Sequence, residues 1–463
     1  MDLAELKIGK FIDDHSGDMI TTLASLVRIP SVRGEAEDGC PFGREPARAL
    51  EKFLEIAKDM GFTVKNHENY VGTIDYYPEG KPTLGILCHL DVVPVGDGWA
   101  TPPFELTLKG GYLYGRGAID DKGPAVSVLY AMYALKKSGV HLSQNVRFIV
   151  GTDEENGSGD LAYYRKKEAL PARLFTPDGS YPIINIEKGM IRGEFSLPII
   201  SKGGKTVLSI SGGDVVNAVP GTCTATLRGI SENEIARAAK VTGVKFELSE
   251  KDDVLTVVCR GKSAHASQPQ DGYNAVTAMI SMLASLETDD GTAEAFDMLA
   301  KLFPYGETDG TSVGVKLNDD VSGALTLVHS IASYDGKKYR GKFDIRFPVS
   351  YKVADVREKL EKTFGDAGIS LAGFSGVEGH HVDENSDFIK TLLKTYEHVT
   401  GKKGRCIAIG GGTYVHETEG GVAFGAEFIG DDNRMHGANE RMSLDLFKMN
   451  AKMYAEAIIN LCK

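Results

Sequence analysis

Apolar positions alternate between two periods over roughly the first 185 residues. Asp18–Arg28 sets Ile20, Leu23, Leu26 and Val27 on one helical face. Glu45–Met60 does the same with Leu50, Phe53, Leu54 and Ala57, and Gly61 supplies a stop. Between and after such helices come short apolar runs that read as strands: Phe62–Val64, Val71–Tyr76, Thr83–His89, Asn145–Val150 and Arg173–Thr176. Leu106–Leu108 and Tyr112–Tyr114 look like a hairpin, and Pro124 suits the first turn of a helix running to Lys137. Helices alternating with apolar strands predict an α/β fold, a mostly parallel sheet with helices on both faces.

From about Gly189 the pattern changes. Strand-like segments dominate (Ile191–Leu197, Thr206–Ile210, Thr222–Leu227, Leu255–Cys259, Leu325–Ser333, Lys342–Pro348), with helices at Glu234–Val241, Asn274–Leu286 and Val353–Phe364. Such a run predicts an antiparallel α+β unit. The first pattern returns near Asn385, with an amphipathic helix at Asp387–Val399, short strands at Cys406–Ile409 and Val422–Phe424, and a terminal helix from Leu444. The expected organisation is a catalytic domain built from residues 1–187 and 384–463, with an α+β lid domain, 188–383, inserted into it.

A chain of 463 residues suits two domains. The charge balance, 52 basic against 64 acidic residues for a net of −12, argues against nucleic acid or an anionic membrane as partner. No stretch approaches the ~20 apolar residues of a membrane span, and Met1–Lys10 lacks a signal-peptide core, so a cytoplasmic location is expected. The six cysteines show no C-x-x-C pairing and read as reduced thiols.

Chemistry gathers at the strand ends. His89 and Asp91 follow the run Leu84–Cys88, two residues apart, where a carboxylate can orient an imidazole and leave its other nitrogen for a metal. Asp120 lies in Gly115-Arg-Gly-Ala-Ile-Asp-Asp-Lys-Gly, Glu154 and Glu155 follow the 145–150 strand, Asp178 follows the 173–176 strand, and His436 precedes the last helix. Imidazole and carboxylate without thiolate suit Zn²⁺, Mn²⁺ or Co²⁺. One catalytic zinc usually takes three protein ligands, so this set fits two ions sharing a bridging carboxylate. In an extended chain Glu154 and Glu155 face opposite ways, so one can bind metal while the other serves as a general base.

The motifs His89-Leu-Asp91-Val-Val-Pro, Gly115-Arg-Gly-Ala-Ile-Asp120-Asp-Lys-Gly, Thr152-Asp-Glu154-Glu155, Pro177-Asp178-Gly and Arg434-Met-His436-Gly-Ala-Asn-Glu440 resemble the M20 family of metallopeptidases, in family order. The large insert, Asn217-Ala-Val-Pro-Gly and Gly410-Gly-Gly-Thr-Tyr look like the PepV-type dipeptidases, bacterial enzymes that hydrolyse aminoacyl dipeptides. The resemblance implies two divalent ions, zinc first, with manganese or cobalt as alternatives. By it, His89 and Asp178 bind one ion, Glu155 and His436 the other, and Asp120 both. Glu154 is then the general base and Asp91 orients His89. In the insert, His265 matches a histidine that stabilises the oxyanion, and Asn217 and Arg346 match positions that hold the substrate's C-terminal carboxylate. Gly412 and Thr413 fall in a substrate-binding loop. His416 departs from the pattern, standing where arginine is expected. The pair His380-His381 lies where the insert ends and suggests a hinge more than a metal site.

The resemblance implies hydrolysis of dipeptides with a free amino terminus and a free carboxylate, by a chain acting as a monomer. An N-acyl-amino-acid deacylase shares the chemistry, and a metal-binding protein without catalysis is the alternative of another class. An intact Glu154 argues against the last.

Overall fold

A computed structural model describes residues 3–463, with side chains described from residue 7 onward. Two compact units emerge: of the described residues, those up to 185 with 382–407 and 412–463 form the first, and residues 186–381 and 408–411 the second.

The sheet of the first unit runs in the order Thr63–His67, Val71–Asp75, Asn145–Gly151, Pro82–His89, Arg173–Thr176, Gly421–Ala423, Ile183–Glu187. The middle pairs are parallel and the flanking ones antiparallel. Side chains alternate across it as a pleated strand requires. Ile86, Cys88, Phe148, Val150 and Phe175 join one large core, whereas Leu87, Ile149 and Leu174 join a smaller one on the opposite face. The large core is closed by the helices Ser16–Val27, Arg44–Asp59, Lys122–Lys137, Asp387–Thr400 and Leu444–Cys462. The small one is closed by Leu161 and Tyr164 of a six-residue helix, Gly159–Tyr164, and by Tyr414 and Val415. Both faces are therefore covered, but unequally.

In the second unit eight antiparallel strands run in the order Phe246–Lys251, Val254–Arg260, Thr222–Arg228, Thr206–Gly212, Thr326–Tyr334, Lys338–Phe347, Gly189–Pro198, Ser370–Val377. A single core joins their inward residues, such as Phe195, Ala225, Val257 and Phe343, to the helices Ala275–Ala284, Thr292–Leu302 and Val353–Asp366. The edge strands 246–251 and 370–377 were not expected. Most of their residues are exposed or half-buried, so neither shows the apolar alternation of a covered strand. Helix Thr292–Leu302 was also missed, although Ala293, Phe296, Leu299 and Leu302 are buried at intervals of three.

All six cysteines are free thiols. Among the described residues no helix is long and apolar enough to cross a membrane.

Candidate active site

Three neighbouring parallel strands deliver the first groups at their carboxyl ends, where ligands of open α/β sheets gather. His89 is the last residue of its strand and lies opposite Gly151. Glu154 and Glu155 follow Gly151 in a 3-10 turn, Glu154–Asn156, and Asp178 follows the strand ending at Thr176. Asp120 precedes helix Lys122–Lys137, and His436 sits in a loop where it adopts φ 60°.

His89 Nε2 lies 3.0 Å from Asp120 Oδ1 and 3.8 Å from Asp178 Oδ2. His436 Nε2 lies 2.7 Å from the other Asp120 oxygen, Oδ2, and 3.2 Å from Glu155 Oε1. Asp120 thus stands between two imidazoles, each with a second acid beside it. Among the described residues, two groups are close enough to hold a cation, His89 with Glu154 and Asp178, and His89 with Asp120 and Glu155. The His380–His381 pair is in neither; it forms a two-residue strand opposite Glu187 and Ile186.

Around these groups runs a layer of backbone anchors. Ring Nδ1 of His89 lies 3.0 Å from the main-chain oxygen of Asp91 and 3.4 Å from its Oδ1. The Asp91 carboxylate mainly caps the acidic turn, accepting the N–H of Glu154 on Oδ1 and that of Glu155 on Oδ2. Asp121 Oδ2 accepts the His89 N–H at 3.1 Å. Asp160, unmarked in the sequence, accepts the N–H groups of Thr152 and Asp153 and the Tyr414 hydroxyl. That geometry requires glycine at 151, because a Cβ there would lie 1.9 Å from the Tyr414 hydroxyl. The glutamates sit in a turn rather than the extended chain expected: Glu154 groups with His89 and Asp178, Glu155 with His89 and Asp120, and Glu155 also lies beside His436.

The cluster is electrostatically strained. Burial, and then the charge of Asp120, pushes the Asp178 carboxyl up to about 7. Burial, then Asp178, raises Glu154 well above the carboxylate range, and burial, then Asp120, raises Glu155. Burial opposes ionisation of Asp120 too, but hydrogen bonds from His436 and His89 hold it far below its usual range. Hydrogen bonds to Asp120 and Glu155 lift His436 to about 11. Several buried acids facing two imidazoles are costly unless a cation neutralises them. The all-nitrogen-and-oxygen donor set therefore fits divalent metal.

This sets the sign of a pH effect. Asp178 in the unfolded chain titrates near 3.9, so its raised folded value contributes stability that is lost as pH rises from about 4 through about 7. His436 acts in the same sense between its unfolded value and about 11. Asp120, lowered, loses its contribution only below its unfolded value. Metal-free protein should unfold at a lower temperature at pH 8.5 than at pH 6. Zinc should add more to the midpoint at pH 8.5, because binding displaces the extra protons. Calorimetry with and without chelator checks this, and an equal zinc effect at both values would contradict it.

In the second unit, Ala218 forms a bridge with His265. The Ala266 N–H donates to the main-chain oxygen of Asn217 and the Val219 N–H to that of Ala264, so the segments of Asn217 and His265 run side by side. His265 is exposed, with Nδ1 2.7 Å from Ser267 Oγ. Arg346 is buried, with Nε and Nη2 on the two oxygens of Asp344 and Nη1 on the main-chain oxygen of Gly410. A Cβ on Gly410 would lie 2.5 Å from that of Ser267, which explains the glycine. Thr413, in the first unit, caps the turn Tyr414–Glu417 that carries His416.

Parallel strands at the middle of the sheet thus present His89, Glu154, Glu155 and Asp178, which with Asp120 and His436 from neighbouring loops make the metal-suited centre of an α/β protein. The family model for peptidase family M20/M25/M40 matches residues 85–460, and the chain belongs to that family of metallopeptidases. It is 34% identical over 474 residues to the Beta-Ala-Xaa dipeptidase of Lactobacillus delbrueckii subsp. lactis, covering 99% of both chains. Among solved structures it resembles human carnosine dipeptidase 1 (TM-score 0.60, 17% identity, 99% of both chains). It also resembles the aminoacylhistidine dipeptidase of Vibrio alginolyticus (TM-score 0.58, 14% identity, 96% of both chains). At those identities the structural likenesses speak to the fold.

Proposed function

We propose that this chain is a dipeptidase working with two divalent ions, zinc first, held by His89 and Asp178 on one side and by Glu155 and His436 on the other, with Asp120 shared. The observation that carries this reading is the placement of the two Asp120 oxygens against two different histidines. The name of the Lactobacillus relative supports the substrate class. Such ions, when bound, polarise a carbonyl and lower the pKa of water.

The chain's own groups do the rest. Glu154, grouped with His89 and Asp178 at the strand ends, receives a proton from the attacking water. As the carbon–oxygen bond forms and the carbon–nitrogen bond breaks, it passes that proton to the leaving amine. Asp91 fixes the turn from which Glu154 and Glu155 diverge. His265 is assigned to the oxyanion, Asn217 and Arg346 to the substrate's carboxylate, and Gly412 and Thr413 to a substrate-binding loop. Three of the five N–H groups of an arginine are engaged in Arg346, leaving two for an anion.

Dipeptides with both termini free should turn over fastest. C-terminal amides should fall by about tenfold to a hundredfold in kcat/KM, the worth of a hydrogen bond to a charged group. A panel of dipeptides, their amides, tripeptides and N-acyl amino acids tests this. Amides turning over as fast as free dipeptides would remove the carboxylate clamp, and preference for N-acyl substrates would turn the reading to a deacylase.

A further inference from the structure

Arg116 and Glu440 form an ion pair in the first unit, with Nη1 2.6 Å from Oε2 and side chains 1% and 0% exposed. A buried pair of this kind seldom stabilises a protein more than apolar side chains of the same volume would, so its presence calls for another explanation. The remaining bonds supply one. Glu440 Oε1 accepts the N–H of Ile119 at 3.1 Å and of Asp120 at 3.3 Å. Arg116 Nη2 donates to the main-chain oxygens of Pro94, at 3.1 Å, and His436, at 3.3 Å. The guanidinium also lies 5.4 Å from the Trp99 ring. Backbone bonds tie the pair's own segments together, the Gly115 N–H donating to the Glu440 oxygen and the Arg116 N–H to the Pro103 oxygen.

These contacts reach the three segments that carry His89, Asp120 and His436. The loop of His436 needs such restraint. Arg434, His436 and Asn439 all have φ between 55° and 63°, a left-handed conformation that non-glycine residues hold only when their surroundings enforce it.

We propose that the Arg116–Glu440 pair is a positioning device, which sets Asp120 and His436 in register with each other before any ion binds. The proposal rests on the reading of those two residues as metal ligands. Neither member of the pair needs to touch substrate. Its effect is geometric, holding ligands at separations that an ion would otherwise have to impose at the expense of its own binding. Residues that orient ligands in this way change metal affinity by about tenfold to a hundredfold when replaced.

The decisive variant is Arg116→Met with Glu440→Gln, which removes both charges at nearly constant volume and keeps an oxygen for the Ile119 and Asp120 amides. Arg116→Lys is the companion, keeping the charge and losing the two-armed fork. In metal-free protein, hydrogen exchange over residues 433–440 should accelerate in both variants while the global unfolding midpoint moves little. Zinc titrated into metal-free protein should bind about tenfold to a hundredfold more weakly. At saturating zinc, KM should stay near that of the parent. Glu440→Gln alone should lie closer to the parent than Glu440→Ala. Should the double variant fail to fold, Arg116→Lys is read by the same measures. Unchanged exchange over 433–440 together with unchanged zinc affinity would overturn the proposal. A parent chain that takes up fewer than two ions would instead count against the metal reading, and exchange in the metal-free variants would still judge the pair.

Discussion

Glu154→Ala is expected to keep its metal ions and lose about 10²–10⁴-fold in kcat, the contribution of a positioned general base. The main-chain N–H of residue 154 would still meet Asp91, so the turn and Glu155 should stay in place. KM for a dipeptide should change little, because the lost interaction acts on the reacting water. The result is not trivial, since Glu154 also lies within ligand distance of His89 and Asp178. Kinetics paired with metal analysis separates the two roles. If Glu154→Ala loses an ion, Glu154 is a ligand, and Glu155 becomes the candidate for the base.

The second large effect is expected at Asp120. Asp120→Ala removes the carboxylate whose two oxygens each lie within 3.0 Å of a different histidine, so both ions should weaken together and hydrolysis should fall below detection. His436 would keep Glu155 at 3.2 Å, and His89 would keep Asp178 at 3.8 Å with Glu154 beside it. Replacement of Asp178, whose Oδ2 lies 3.8 Å from His89 Nε2, should instead weaken chiefly the ion on the His89 side. Calorimetric titration of zinc into the metal-free variants distinguishes loss of both sites from loss of one. An Asp120→Ala chain that still binds one ion with the parent's affinity would show that the carboxylate is not shared.

Much of this architecture was legible in the apolar pattern. The strands ending at His89, Val150 and Thr176 alternate between two cores, and such periodicity is a local property that a sequence displays directly. Groups placed just beyond those strands, His89, Glu154, Glu155 and Asp178, were therefore legible as neighbours. Asp120 and His436 sit in irregular loops, so their donor chemistry was legible but their individual roles came only from the resemblance of whole motifs. What stayed hidden is what depends on distant partners. Tyr414 meets Asp160 across 254 positions, and Arg116 meets Glu440 across 324. No local period reports a buried polar contact of that kind. The resemblance marked Arg346 as a substrate clamp. The structure shows the Asp344 pairing directly, together with a bond to Gly410 that no spacing suggested.

The most direct test of the central claim is the number and spacing of bound ions. Metal-free chain reconstituted with zinc should saturate at two ions per chain, and crystals of that protein should show two anomalous peaks about 3.5–4 Å apart, one on each side of the Asp120 carboxylate. A single ion at saturation, or two ions with Asp120 bound to neither or to only one, would contradict the account.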